Sequence, residues 1–186
     1  MRESAESEMA CRLRQSGVPL GELFSFMSGL YFRGKLAYAR AFADAPGDSN
    51  GVLVITASGG LVPPDTPITL NQLREISSGS VDPADAQYRV PLDRDARALS
   101  EESGADCEIV LLGSIATPKY VDPLLNTFGS LLFPVEFVGR GDMSRGGLLL
   151  RCVQSGEQLT YIPVLEAKRH GRKPPKLEPL VYKALS

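Results

Sequence analysis

Histidine and cysteine are scarce in this chain of 186 residues, which contains one histidine and three cysteines. The cysteines, Cys11, Cys107 and Cys152, are far apart and form no Cys-x-x-Cys pair. Zinc sites are built mainly from closely spaced Cys and His, so no metal site is expected. Ser-His-Asp or Cys-His catalysis would have to use His170, which lies in a basic segment followed by prolines, and this argues against both. Cys107 and Cys152 lie in apolar runs, which is typical of buried reduced thiols.

The chain also lacks long apolar runs and a large excess of charge of either sign. No run reaches the roughly 18 residues of a membrane span, and the polar N-terminal stretch has no apolar signal core. The formal net charge is -2, so no overall attraction to nucleic acid or to an anionic membrane is expected. No GxGxxG or Walker A sequence is present. These features predict a cytoplasmic protein with no membrane attachment and no cofactor.

Two stretches predict buried strands that end in small residues. The first, GVLVITASGGL at residues 51–61, ends in Ala57-Ser58-Gly59-Gly60, and the second, CEIVLLGSI at residues 107–115, contains Gly113-Ser114 near its end. A short apolar run bounded by turn residues is typical of a strand that is buried on both faces of a parallel sheet. We therefore expect both strands near the centre of one sheet.

The remaining patterns complete the expected fold class. Residues 131–138 predict a third strand, and residues 148–153 and 159–164 predict a C-terminal hairpin. Helices are predicted at residues 3–16, 20–42, 70–76, 93–103 and 118–128, with a break near Arg33-Gly34. The sequence thus predicts a single α/β domain of three-layer type over residues 1–165, with a mixed, largely parallel sheet of about five strands. A basic tail that contains prolines follows at residues 166–186.

A ligand site is expected at the carboxyl ends of the strands, where open α/β sheets bind their ligands. Glycine lets a backbone approach closely, and free amides with a hydroxyl bind phosphate or carboxylate. The same residues also suit tight turns that bind nothing. The predicted ligand-binding residues at the strand ends are Ser58, Gly59, Gly60, Gly113 and Ser114.

Charged side chains elsewhere extend this prediction. The glycine-rich loop at residues 139–147 carries Arg140 and Arg145, whose guanidinium groups suit an anionic ligand, although a solvated surface loop is the alternative. Asp65 and Asp142 are the candidates for an acid or a base. Tyr31, Arg33 and Lys35 interrupt the apolar pattern of the second helix. We expect the two cations to extend into solvent.

The tail contains a concentrated group of basic residues. Phosphates of a nucleic acid are one partner that such a group suits, and a merely solvated tail is the alternative. The group lacks the interleaved aromatic residues of single-strand binding platforms. The residues predicted to contact nucleic acid are Lys168, Arg169, Arg172 and Lys173.

One span resembles a known family. The segments LYFRGKLAYA at residues 30–39, TASGGLVPPD at residues 56–65 and PITL at residues 67–70 are similar to the peroxide-stress-protein-like superfamily. That resemblance implies an α/β topology, and it also implies DNA or a modified nucleobase as the ligand. Gly59 stands where the family pattern often has a basic residue.

The leading hypothesis is that the protein binds a small anionic or nucleotide-like ligand at the strand ends. If it is an enzyme, the residues favour hydrolysis or transfer at a glycosidic or phosphoryl centre by a carboxylate. The alternative is a non-catalytic interaction protein. It would form a homodimer, or contact nucleic acid or another protein through the glycine-rich loop and the tail.

Overall fold

The computed structural model describes residues 2–47 and 50–177, with side chains from Glu8 onward. The described chain is mainly helical, with short strands between the helices. The helices are α1 (Arg2–Gln15), α2 (Leu20–Phe42), α3 (Leu70–Ser78), α4 (Ala86–Ser103), α5 (Pro118–Phe128) and α6 (Asp142–Ser155). The strands are β1 (Val18–Pro19), β2 (Val54–Ile55), β3 (Leu61–Val62), β4 (Pro67–Ile68), β5 (Leu132–Pro134) and β6 (Tyr161–Pro163). A 3₁₀ turn at Val135–Phe137 follows β5.

The predicted α/β fold with a largely parallel sheet of five strands is wrong. The strands form three separate antiparallel pairs, β1 with β4, β2 with β3, and β5 with β6. The expected strand at residues 107–115 contributes a single parallel bridge, from Val110 to Leu132. Each ladder is two or three residues long, so helix packing rather than a sheet supports the fold.

Local sequence explains why the first predicted strand stays short. Gly59 and Gly60 turn the chain back immediately after β2, and Gly60 adopts a φ of 72°, which glycine tolerates best. Pro63 and Pro64 then follow β3 and carry no N–H group for a ladder. The apolar run at residues 52–56 is therefore one arm of a hairpin and not the centre of a sheet.

The predicted C-terminal hairpin is also wrong, because residues 148–153 lie inside α6. Gly146, Leu149 and Cys152 are buried at helical spacing along that helix. Five of these six residues are apolar, and so short an apolar stretch fits a strand and a buried helix equally well, so its pattern does not decide between them. The predicted partner at residues 159–164 does contain β6, which pairs with β5 instead.

Several predicted helices are confirmed, among them residues 118–128, which form α5 with the same bounds. Thr69 begins α3 with a capping box, in which its hydroxyl accepts from Gln72 N and the Gln72 side chain accepts from Thr69 N. The break in α2 is displaced from the expected position. It falls at Gly29, which has a φ of 68°, and Gly34 lies within the helix.

Gly34 and Gly146 bring the backbones of α2 and α6 into direct contact. A Cβ atom on Gly34 would lie 2.7 Å from the carbonyl oxygen of Gly146, and one on Gly146 would lie 2.8 Å from that of Leu30. No side chain fits in either position without moving the helices apart. This crossing holds the second half of α2 against the first two turns of α6.

Two groups of buried side chains make up the interior. The main core lies among α2, α4, α5, α6 and β5, and a smaller core lies where α1, β1 and β4 meet the start of α2. Tyr38 links α2 to the last strand, because its hydroxyl accepts from Leu159 N at 2.8 Å and shares a hydrogen bond of 2.6 Å with the Tyr161 hydroxyl. No helix among the described residues has both the length and the apolarity needed to cross a bilayer.

Candidate functional site

The structure places Ser58, Gly59 and Gly60 in the turn of the β2–β3 hairpin. Thr56 N donates to Gly60 O, and Gly59 N donates to Thr56 Oγ1, each at 2.9 Å. Just beyond the turn, Leu61 N donates to Asp95 Oδ2 at 3.0 Å, and a Cβ atom on Gly60 would clash with the same carboxylate. These amides are paired within the protein, as expected for the alternative in which the residues form a tight turn and bind nothing.

Gly113 and Ser114 form a second local turn. Ser114 Oγ accepts from Ala116 N at 3.3 Å. The parallel sheet that was expected to bring this turn beside Ser58 is absent from the described residues. No hydrogen bond found in the described part of the chain joins the two serines.

Arg140 precedes α6, and Arg145 lies within that helix rather than in the expected loop. Both side chains donate to backbone oxygens. Arg140 Nε donates to Glu136 O at 3.0 Å, and its Nη1 donates to Ser144 Oγ at 3.2 Å. Arg145 donates from Nε and Nη2 to Phe137 O, at 3.2 and 3.0 Å, and its guanidinium lies 5.2 Å from the Phe137 ring centroid. Both guanidinium groups thus take part in hydrogen bonds within the protein, and Arg145 lies beside the α2–α6 crossing.

Lys35 is the unusual charge at this crossing. It is half-buried, with its Nζ 4.6 Å from the Tyr31 ring centroid and 5.5 Å from that of Phe32. Within the described residues it takes part in no hydrogen bond and in none of the four ion pairs. Burial lowers the pKa of Lys35, the negative charge of Asp142 opposes this change, and the positive charge of Arg145 has a smaller lowering effect. Lys35 is therefore a desolvated ammonium without a paired carboxylate.

Tyr31 completes the group. Its hydroxyl donates to Leu112 O at 3.4 Å, and its ring packs edge-on against Phe137, with centroids 6.3 Å apart. Burial raises the pKa of Tyr31, against the effect of Arg145. We call Tyr31, Lys35, Asp142 and Arg145 the Lys35 cluster. It holds two cations and one carboxylate, which begins α6 and is exposed.

Two surface cavities lie elsewhere and have balanced charge. A cavity of about 410 Å³ between α4 and α5 is lined by the ion pair Arg89–Asp93 together with Arg97 and Glu101. One of about 260 Å³ at the end of α2 includes Asp65, which pairs with Arg40 at 2.5 Å. Since each cavity holds as many carboxylates as cations, neither has the unpaired charge of the Lys35 cluster.

The basic group of the tail lies on the surface and is fixed at several points. Lys168, Arg169, Arg172 and Lys173 are exposed, as is His170. A Cβ atom on Gly139, which has a φ of 75°, would clash with the carbonyl oxygen of Arg172, and Arg140 Nη1 donates to Pro175 O at 3.5 Å. The final part of the predicted tail, residues 178–186, lies outside the described residues.

The cysteines match the expectation in part, because Cys152 is buried while Cys107 is half-buried. Among the described residues, no three His, Cys, Asp or Glu side chains are grouped as a metal ion would need.

Sequence reasoning noticed Tyr31 and Lys35 but expected the lysine to be solvated. The missed signal was Gly34, a glycine inside a helical pattern, which often marks a close approach of another backbone.

No protein-family model, no curated protein and no solved structure matches this chain.

Proposed function

We propose that the protein binds a small anionic ligand, carrying a phosphate or a carboxylate, at the Lys35 cluster. The ligand class is the one expected from the sequence, while the location moves from the strand ends to the α2–α6 crossing. The observation that supports the proposal is the half-buried ammonium of Lys35, which lies on two aromatic rings and has no ion pair within the described residues.

A half-buried charge without a partner is unfavourable for folding alone. Removing an ammonium from water costs free energy that a nearby anion or a set of hydrogen bonds normally offsets. Here Asp142 acts on Lys35 from a distance, and Arg145 adds a second positive charge. A bound anion would supply the missing negative charge, so the cluster is better explained by binding than by stability.

The start of α6 adds to this electrostatic environment. Its first residue is Asp142, and the preceding Gly141 provides no side chain to cap the helix. The unpaired N–H groups of a first helical turn and the helix dipole favour an anion. Arg145 lies in the first turns of the same helix. The N–H groups and the dipole therefore add to the argument from Lys35, which remains the main one.

The test measures thermal unfolding with inorganic phosphate, with a phosphate monoester and with sodium chloride at equal ionic strength. Lys35→Met is compared with Lys119→Met, because Lys119 also lies over a tyrosine ring, with its Nζ 4.9 Å from the Tyr120 centroid. At a ligand concentration of about 100 Kd we expect a stabilisation of about 2.7 kcal/mol, which corresponds to roughly 5–10 °C in Tm.

This rise should occur in the wild type and in Lys119→Met and be absent in Lys35→Met. An equal rise in Lys35→Met would contradict the proposal. A wild type that responds to phosphate no more than to chloride would contradict it as well.

A second candidate function is nucleic-acid binding through the exposed basic residues of the tail. The observation that favours it is the fixed position of this segment, in which Gly139 lies directly against the Arg172 carbonyl oxygen. Cations held in place lose less conformational entropy on binding phosphates than those of a free tail.

This candidate is tested by the affinity for single-stranded DNA as a function of salt. If three of the cations contact phosphates, the slope of log K against log salt should be about -2. Replacing Lys168, Arg169, Arg172 and Lys173 with glutamine should abolish binding, whereas Lys35→Met should not change it.

A further inference from the structure

We infer that Lys35 is a nucleophilic amine that forms an imine with the carbonyl carbon of an anionic oxo compound, such as a 2-oxo acid. This inference rests on the proposed function, because Arg145 would hold the carboxylate or phosphate of that compound. It adds a reaction and a substrate class to what would otherwise be a binding site.

The first argument is the availability of the nitrogen. Lysines in ion pairs or hydrogen bonds have their ammonium hydrogens engaged by acceptors. The Lys35 nitrogen contacts two ring faces instead, and within the described residues it has no such acceptor. A ring face stabilises the cation. It is not a hydrogen-bond acceptor whose bond to the nitrogen would have to break before the amine reacts.

The second argument is the fixed position of the side chain. Lys35 follows Gly34, whose backbone contacts Gly146 on α6. Its stem lies among the half-buried Tyr31 and Phe32 rings, which limits the rotamers it can adopt. A reacting group that is already held in one place loses little further conformational freedom when the transition state forms.

The third argument concerns the protonation state. Burial lowers the pKa of Lys35, although the negative charge of Asp142 acts to raise it. Near neutral pH, each unit by which a lysine pKa falls raises the fraction of free amine about tenfold. Enzymes that use lysine as a nucleophile depend on this kind of environment.

The reaction balances without an oxidant or a reductant. The nitrogen lone pair forms a C–N bond with the carbonyl carbon as the C=O π bond breaks, and one proton of the amine moves to the oxygen to give a carbinolamine. The C–O bond then breaks, the hydroxyl leaves as water with the second proton of the amine, and the nitrogen lone pair completes the C=N bond of the imine. Asp142 is the carboxylate whose charge acts on both Lys35 and Tyr31.

The experiment uses the wild-type chain with glyoxylate as the probe and cyanoborohydride to reduce the imine to a stable carboxymethyl-lysine. Peptide mapping after short reaction times measures the rate at each lysine. We expect Lys35 to react severalfold faster than Lys119, which has similar exposure and a similar ring contact. Inorganic phosphate should slow the reaction at Lys35 and leave Lys119 unchanged.

Lys35→Arg should remove the fast component, and Lys119→Arg should keep it. A Lys35 that reacts no faster than Lys119 would overturn the inference, and because the map is made on the wild type this result does not depend on a variant folding. If phosphate still raises the Tm of the wild type in that case, the binding proposal stands and the imine alone is refuted. A Lys35 that reacts fast while phosphate changes neither its rate nor the Tm refutes the anionic site and this inference together.

Discussion

The β2–β3 hairpin turn and the α2–α6 crossing are both built on glycines, yet they use their polar groups in opposite ways. In the turn, Gly59 N, Leu61 N and the Thr56 hydroxyl are paired with groups of the protein itself. At the crossing, Gly34 and Gly146 bring two helices together and leave Lys35 without an ion pair among the described residues. The sequence suggested the reverse, with binding at the turn and solvation at Lys35.

The comparison indicates that donors already paired within the protein are less available to a ligand than unpaired ones. The pairings of Gly59 N and Leu61 N stabilise the fold. A half-buried charge without a partner lowers the stability of the folded protein. Its presence is therefore better explained by a function than by folding. The following experiments test whether the two regions differ in this way.

The largest effect is expected from Gly146→Ala at the crossing. The added Cβ atom would lie within 3.0 Å of backbone atoms of both Leu30 and Tyr31, and backbone cannot move as a side-chain end does. We expect a loss of about 3 kcal/mol or more in the free energy of unfolding, measured by urea denaturation. Gly147→Ala is the control, since its Cβ would meet only the side-chain ends of Arg151 and Leu177. It should be neutral or stabilising by up to about 1 kcal/mol, and equal losses in both would refute close helix contact.

In the turn region, Asp95→Ala should destabilise the protein by about 1–3 kcal/mol. It removes the acceptor of Leu61 N, which is part-buried. Asp93→Ala is the matched change on the same helix, where the carboxylate pairs with Arg89 one turn away. We expect about 0.5 kcal/mol for that variant by the same measurement. A cost for Asp95 no larger than for Asp93 would show that the turn is not held by this carboxylate.

Lys35→Met should stabilise the protein, unlike Gly146→Ala and Asp95→Ala. Removing a desolvated charge while keeping a similar side-chain shape should raise the free energy of unfolding by about 1 kcal/mol in the absence of ligand. Denaturation in buffers free of phosphate and carboxylate measures this. A destabilised variant would mean that Lys35 serves the fold and would weaken the contrast with the turn.

The smallest effect is the pH dependence of the difference in the free energy of unfolding between the wild type and Lys35→Met. Because the pKa of Lys35 is lowered in the folded chain, the unfolded chain binds more protons at pH values between that pKa and about 10.4. Stability contributed by this group therefore rises with pH in that window. The groups that act on it there are Asp142, Arg145 and the neighbouring Tyr31, whose own raised pKa acts in the reverse direction at higher pH.

We expect the gap between wild type and Lys35→Met to narrow as pH rises from about 7 to 10. Urea curves at several pH values check this, and the comparison of two variants cancels the contribution of the other tyrosines. A gap that stays constant over this range would show that Lys35 keeps its ordinary pKa.

Sequence alone was sufficient for elements whose ends are marked by local chemistry. The capping box at Thr69 and the proline at the start of α5 determine where those helices begin. The sequence was not sufficient for the apolar runs at 107–115 and 148–153, because their state depends on which surfaces they meet. Lys35 was misjudged for a similar reason, since the charges that act on it, Asp142 and Arg145, lie in α6, more than a hundred residues away in the chain.

The kink at Gly29 has a consequence for the motions of the whole molecule. It separates Leu20 and Leu23, which belong to the smaller core, from Tyr38, which belongs to the main one. A Cβ atom on Gly29 would have no neighbour within 4 Å, so the space beside this kink is open. Amide hydrogens on its two sides should therefore exchange with solvent at two distinct rates, as α2 opens in two stages rather than one.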